Sequence, residues 1–143
     1  MPTRMTLAGL LVAVTTLGLA ATVPAQTPAR KVVEITMTSY KFEPSQVRIN
    51  EDDAIIIRLK NADPTGRRHN FSSAYLLNIP VTVRGDGEEG TNEGRRFVAV
   101  EAGKQAEFEF VAKGRGSFAF ICSVLNHAIL GQTGVLTVAA PGQ

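Results

Sequence analysis

Most of the chain alternates apolar and polar residues with a period of two, and this pattern constrains the fold more than any other feature. In the segment 106–111, Phe108 and Phe110 alternate with Glu107 and Glu109, which is typical of a strand with one buried face. No segment after residue 25 keeps a helical period of 3.6 over more than two turns. The pattern predicts strands at 32–38, 46–50, 54–60, 96–100, 106–111, 117–122 and 134–139.

Turn-forming residues separate these segments, for example Glu43-Pro44-Ser45 and Lys113-Gly114-Arg115-Gly116. Short strands at such spacing predict an antiparallel β-sandwich. The length of 143 residues, without an internal repeat or linker, favours a single domain. The glycine- and charge-rich stretch 84–95 interrupts the pattern, and we interpret it as a long flexible loop.

The N-terminus has the pattern of a secretory signal peptide. A short basic region ending at Arg4 precedes the apolar run 5–20, and the small residues Val23 and Ala25 follow. The alternative is a membrane anchor, but the run is shorter than the ~20 residues that a spanning helix needs. We therefore expect a signal peptide at 1–25, no stable membrane span, and a periplasmic or secreted protein.

The composition leaves few groups for chemistry. One cysteine excludes an internal disulfide and any multi-cysteine zinc or iron–sulfur site. A formal net charge of +2 gives no basic patch of the kind that nucleic acid requires. An exposed thiol would oxidise in an exported protein, so we expect Cys122 to be buried or bound to something.

The cysteine and both histidines lie at or after strand ends. Cys122 ends one predicted strand, His127 lies five residues later in the loop, and His69 follows the loop after another strand. Because loops at one end of a sandwich meet, the three side chains could converge. One thiolate and two imidazoles form the trigonal set that binds copper for electron transfer. Taken singly, each would be interpreted as a buried cysteine or an ordinary loop histidine.

Four motifs resemble those of the cupredoxins, the small type 1 blue copper proteins of the plastocyanin, auracyanin and azurin kind. The resemblance covers 31–140 and implies a single Greek-key β-sandwich of about eight strands with one copper per chain. By match, His69, Cys122 and His127 would be its equatorial ligands, and Asn70 would tie the two ligand loops together with Ser123 as partner. The motifs are Tyr40-Lys41-Phe42-Glu43-Pro44 with 46–49, His69-Asn70-Phe71, 120–127 (FICSVLNH) and 134–138 (GVLTV).

The sequence departs from the family pattern at two places. Gln132 stands where the family usually has an axial methionine, and its amide oxygen is a possible axial ligand. The alternatives are that Gln132 only caps a turn, or that the site is degenerate and binds copper poorly. Leu125-Asn126 replaces the proline-glycine pair of many relatives, which puts the loop shape in doubt rather than the ligands.

The resemblance implies a monomeric electron carrier that meets a redox partner near His127. Arg67 and Arg68 could steer an acidic partner. The alternative is a copper-binding or storage module without a redox partner. We expect no enzyme activity, because one cysteine and two histidines cannot build the dinuclear or multi-histidine centres of copper enzymes. We expect His127 at a surface edge of the site, and the alternative is that Ile129 and Leu130 pack inward. The predicted docking patch around His127 consists of Leu125, Ala128, Ile129 and Leu130.

Overall fold

The structure, a computed structural model, describes residues 30–142, and the predicted signal peptide at 1–25 lies outside them. Within the described range, no helix is long and apolar enough to cross a membrane. The chain forms β1 (Arg30–Thr38), β2 (Lys41–Glu43), β3 (Gln46–Asn50), β4 (Ala54–Asn61), β5 (His69–Ser73), a 3₁₀ helix (Ala74–Leu76), β6 (Thr82–Gly85), β7 (Gly87–Asn92), β8 (Arg95–Val100), β9 (Gln105–Val111), β10 (Gly116–Ile121) and β11 (Thr133–Ala139).

The strands form two sheets, as the period-two pattern predicts. One sheet has the order β2-β1-β4-β9-β6 and the other β3-β11-β10-β5-β8-β7. The sandwich is not purely antiparallel, because β1 pairs with β4 in parallel and β3 pairs with β11 in parallel. In both parallel pairs, the chain crosses to the opposite sheet between the two paired strands and then returns in the same direction.

The prediction of a long flexible loop at 84–95 is wrong. The first part of this stretch completes β6, which pairs with β9. The second part forms β7, which pairs with β8. The glycines provide close packing here rather than flexibility. A Cβ on Gly90 would lie 2.7 Å from the Phe97 ring, and one on Gly87 would lie 2.7 Å from the Ala106 side chain.

Two further strands, β2 and β5, lack a clear sequence signal. All five residues of β5 are buried although four of them are polar, so no alternation marks the strand. It lies between β10 and β8 in its sheet, where hydrogen bonds satisfy its polar groups. The Ser73 hydroxyl, for example, donates to the carbonyl of Ala119 at 2.8 Å.

Packed aromatic rings form the core next to the ligand-bearing end of the sandwich. Phe71 stacks on Phe120 with 4.5 Å between ring centroids, and Phe42 meets Phe120 edge-on at 5.1 Å. Gly134 leaves room for the Phe120 ring, since a Cβ there would clash with that ring and lie 2.5 Å from the Ser45 carbonyl oxygen. This packing fixes the backbone on both sides of the cysteine-containing loop.

Candidate metal centre

His69 is positioned by the residues that precede it. It begins β5 and pairs with Val100 of β8. Asn61, the last residue of β4, donates from Nδ2 to the carbonyl oxygens of Arg67 and Val100, each at 2.8 Å. Its Oδ1 accepts from the backbone N–H of Asp63 at 3.0 Å. One amide side chain thereby holds both ends of the loop before His69.

A buried carboxylate faces the His69 ring. Asp63 Oδ2 lies 2.7 Å from His69 Nε2, and both side chains are 0% exposed. The Ser39 hydroxyl donates to the same oxygen at 3.0 Å, while the N–H and hydroxyl of Thr65 donate to Oδ1. Burial favours the neutral acid, but the hydrogen bonds from Thr65, His69 and Ser39 outweigh it and hold the pKa of Asp63 well below its usual range.

Cys122 directly follows β10 and is 0% exposed. The backbone N–H of Asn70 points at its sulfur, with 3.4 Å from N to Sγ. The Asn70 side chain also ties the two ligand segments together. Its Nδ2 donates to the Ser123 hydroxyl at 2.9 Å, and its Oδ1 accepts from the Ser123 N–H at 2.8 Å. The hydrogen-bonded pair that the family resemblance implies is therefore present.

Backbone hydrogen bonds close the loop between Cys122 and β11. The Cys122 N–H donates to the carbonyl of Gln132 at 3.0 Å, and the Gln132 N–H donates to the carbonyl of His127 at 3.0 Å. Leu125 adopts a left-handed φ of 45°, which is uncommon for a bulky residue. The loop is thus closed on itself, with Leu125 where many relatives have proline.

The side chains of His69, Cys122 and His127 converge in one buried cluster. The two histidine Nδ1 atoms are 3.2 Å apart, and Cys122 Sγ lies 3.4 Å from His127 Nδ1 and 3.8 Å from His69 Nδ1. Around one tetrahedral or trigonal metal ion, two such nitrogens lie roughly 3.3–3.6 Å apart and a nitrogen and sulfur roughly 3.5–3.8 Å. One observed distance lies in these ranges and the other two are about 0.1 Å shorter, so the three donor atoms fit a single ion.

Gln132, whose backbone bonds to those of Cys122 and His127, is fully buried. Its Nε2 faces the carbonyl oxygens of Thr38 at 3.3 Å and Lys41 at 3.4 Å. Because carbonyls only accept hydrogen bonds, they determine which end of the amide is the nitrogen. The remaining atom, Oε1, is buried without a hydrogen-bond partner among the described residues. An unsatisfied buried oxygen is costly, and it requires a ligand or a structural reason.

Burial controls protonation at the cluster. It raises the pKa of the Cys122 thiol, against a smaller opposing effect of the hydrogen bond from Asn70. Burial also lowers the pKa of His127, and the nearby His69 and Arg67 lower it further. Without a metal, the thiol is therefore protonated and His127 is neutral at neutral pH. Metal binding at Cys122 must release the thiol proton.

Two contacting residues, Asp63 and Tyr40, did not follow from the sequence as site residues. The Tyr40 ring meets the His127 ring edge-on, with 5.3 Å between centroids. The Arg67 guanidinium lies over the Tyr40 ring at 5.6 Å. For Asp63 a signal was available, since an aspartate two residues before a threonine favours a local side-chain turn. Nothing in the sequence marks Tyr40 as a neighbour of a ligand.

The predicted docking patch is exposed around a buried ligand. Leu125 is 89% exposed and Ile129 is 86% exposed. Leu130 is also exposed, and Ala128 is half-buried. His127 itself is only 4% exposed, so it lies deeper than the surface edge that we expected. Three large apolar side chains that face solvent from the loop containing His127 form an unusual surface.

Comparison with known proteins gives a family and a fold. The family model described as "Cupredoxin-like domain" matches residues 9–138. The chain is similar to the structure of auracyanin B, with 18% identity and a TM-score of 0.60 over 83% of this chain and 95% of that one. It is also similar to dithionite-reduced auracyanin from Roseiflexus castenholzii, with 18% identity and a TM-score of 0.55 over 78% and 99% of the two chains.

A larger protein contains a similar unit. The multi-copper oxidase from Pediococcus acidilactici matches with 16% identity and a TM-score of 0.60, over 85% of this chain but only 29% of that one. No curated protein sequence matches the chain. At these identities the structural similarities establish the fold alone.

Proposed function

We propose that this chain, which belongs to the cupredoxin-like family, is a type 1 copper protein that carries electrons. The observation that carries the proposal is the buried cluster of one thiol and two imidazoles, whose donor atoms fit a single ion. Thiolate and imidazole suit both oxidation states of copper, and this trigonal set is the one found at blue copper sites. Bound copper would supply one-electron exchange between Cu(II) and Cu(I).

The protein's part is to hold His69, Cys122 and His127 in one arrangement in both oxidation states. The hydrogen bonds of Asn70 join the two ligand segments, and its backbone N–H points at the Cys122 sulfur. A donor to a thiolate stabilises its negative charge. Because buried hydrogen bonds hold the ligand side chains in place, little reorganisation would accompany electron transfer.

Gln132 is our candidate for the axial ligand, through Oε1. Its amide nitrogen is held by two backbone carbonyls, and its oxygen has no partner among the described residues. A weak interaction with a metal would satisfy that oxygen, which supports a ligand role over a turn cap. The long axial position of blue copper sites accepts a glutamine oxygen.

The alternative of a copper-storage module depends on an accessible site. His69 and Cys122 are 0% exposed and His127 is 4% exposed, so an incoming carrier protein could not reach the donor atoms directly. Burial favours the electron-carrier function, because it excludes water while an electron can still pass through the His127 side of the site. We also propose that the chain is not an enzyme, since it has one cysteine and two histidines.

The exposed apolar residues of the loop that contains His127 are our proposed contact with a redox partner. Leu125, Ile129 and Leu130 would be covered when the partner docks, which brings its redox centre close to the imidazole. Arg67, next to the Tyr40 ring, would favour a partner with acidic groups at the edge of its docking surface.

We further propose that residues 1–25 direct export to the periplasm or the medium and are removed. Mass spectrometry of the extracytoplasmic protein should find Gln26 at the N-terminus. An intact Met1 on membrane-bound protein would contradict this proposal.

The test of function is addition of Cu(II) to the purified metal-free protein. We expect an intense visible band, one copper per chain and a reversible one-electron wave in voltammetry. Weak colour with tight copper binding and no reversible wave would favour storage. No binding at all would indicate a degenerate site.

A further inference from the structure

The contact between Asp63 and His69 goes beyond what a metal ligand needs for orientation. A neutral acceptor such as a backbone carbonyl would suffice to hold the Nε2–H of an imidazole. Here a carboxylate does so at 2.7 Å, and both side chains are 0% exposed. Within residues 30–142, no lysine or arginine forms an ion pair with Asp63. The charge is therefore directed at the ligand.

The hydrogen bonds around Asp63 fix its orientation. Ser39 donates to Oδ2, the oxygen that faces His69, and the backbone N–H of Thr65 donates to Oδ1 at 2.7 Å. Since a carboxylate only accepts, His69 must carry its proton on Nε2. The other ring nitrogen, Nδ1, faces the sulfur of Cys122 at 3.8 Å and Nδ1 of His127 at 3.2 Å.

We propose that Asp63 is a positioning residue whose buried negative charge favours the oxidised state of the metal centre and thereby lowers its reduction potential. This inference rests on the proposed function. With one thiolate as the only anionic ligand, the centre would carry +1 with Cu(II) and 0 with Cu(I). The adjacent carboxylate attracts the more positive state more strongly, and burial reduces the screening of this attraction.

The test compares the wild-type protein with Asp63→Asn, which keeps the shape and an acceptor oxygen but removes the charge. Affinities for Cu(II) and Cu(I) are measured by competition with chelators of known affinity. We expect Cu(II) binding to weaken about 10–100-fold, the usual effect of losing such a partner, and Cu(I) binding to weaken less. For each factor of ten by which the Cu(II) affinity falls more than the Cu(I) affinity, the reduction potential rises by about 59 mV.

The matched control is Glu101→Gln. Glu101 follows Val100, the strand partner of His69, so the control removes one carboxylate at the same end of the molecule. Its side chain is 63% exposed and faces Arg68 rather than a ligand. We expect its effect on both affinities to be less than twofold, because solvent screens an exposed charge.

Two further measurements keep the test decisive if Asp63→Asn folds poorly. In the metal-free wild-type protein, nitrogen NMR should find the His69 proton on Nε2. Ser39→Ala removes a donor from Asp63 but leaves its charge, so the carboxylate acts more strongly on His69 and the potential should fall.

Equal losses of Cu(II) and Cu(I) affinity in Asp63→Asn, or an unchanged or raised potential in Ser39→Ala, would overturn the proposal. If instead the wild-type protein binds no copper, the proposed function fails. The absence of a proton from His69 Nε2 would separately refute the orientation by Asp63.

Discussion

The two segments that supply the ligands are built in opposite ways. In the upstream segment, residues 61–70, buried polar side chains position His69. Asn61 bonds to the backbone around it, and Asp63 bonds to its ring. In the ligand loop, residues 122–132, backbone hydrogen bonds set the shape, and large apolar side chains such as Ile129 point to solvent. The upstream segment is suited to tune the metal, and the ligand loop is suited to present it to a partner.

Cys122 belongs to both arrangements, so its replacement should have the largest effect. Its sulfur faces the N–H of Asn70 in the upstream segment, and its own N–H bonds to Gln132 in the ligand loop. We expect Cys122→Ser to abolish the intense thiolate-to-copper absorption, because a hydroxyl is a much poorer ligand for copper. Visible spectroscopy with one equivalent of Cu(II) measures this, and replacement of an exposed serine of β10, Ser117→Ala, is the control. A Cys122→Ser protein that keeps the colour would refute the assignment.

Gln132→Met tests whether the ligand loop also tunes the metal. An amide oxygen is a harder donor than a thioether, so it favours Cu(II), and its loss should raise the potential. A difference in axial bonding of ~1.4–3 kcal/mol corresponds to roughly 60–130 mV.

Voltammetry of the wild-type protein, Gln132→Met and the control Gln105→Met in one buffer measures this shift. Gln105 is an exposed residue of β9, so its replacement should leave the potential unchanged. An unchanged or lower potential in Gln132→Met would mean that Oε1 is not the axial donor.

The connection between the two segments depends on Asn70. Removal of its side chain leaves the half-buried N–H of Ser123 without its acceptor, and such a loss costs about 1–3 kcal/mol. Asn70→Ala should therefore lower the free energy of unfolding of the metal-free protein by that amount. Chemical denaturation measures it, with the exposed Asn92→Ala as the control. Equal stability of the two variants would mean that the segments do not depend on this link.

The same contrast explains what the sequence could predict. Strands that bury one face, such as β4 and β9, alternate clearly, and their prediction is confirmed. Strand β5 buries every residue, and β7 contains glycines that make room for neighbouring side chains, so neither shows a period of two. Local pattern identifies a strand only where one of its faces meets solvent.

The candidate site follows the same rule. His69, Cys122 and His127 were predicted because they are the rare residues of the chain, and the structure brings them together. The importance of Asp63 and Tyr40 depends on tertiary contacts. The roles of all these residues as ligands or neighbours of copper stay predictions.

The smallest expected effect concerns the exposed face of the ligand loop. Electron self-exchange between oxidised and reduced copies of the protein needs no unknown partner, and it requires two copies to meet near His127. Ile129 is 86% exposed, and Ile129→Lys would add a charge to a surface that must lose water on contact. We expect self-exchange to slow about tenfold, which corresponds to about 1.4 kcal/mol of contact free energy.

Val32→Lys is the matched control, because Val32 is 50% exposed and the substitution adds the same charge. The carbonyl of Thr38 faces Gln132, so Thr38 marks the site end of β1. Val32 lies six residues earlier, about 20 Å along the strand from the site. NMR line broadening in partly oxidised samples gives both rates at one ionic strength. If both variants slow equally, net charge rather than the apolar face controls the encounter. If neither slows, electrons leave the protein by another surface, and the division between a tuning segment and a presenting loop does not hold.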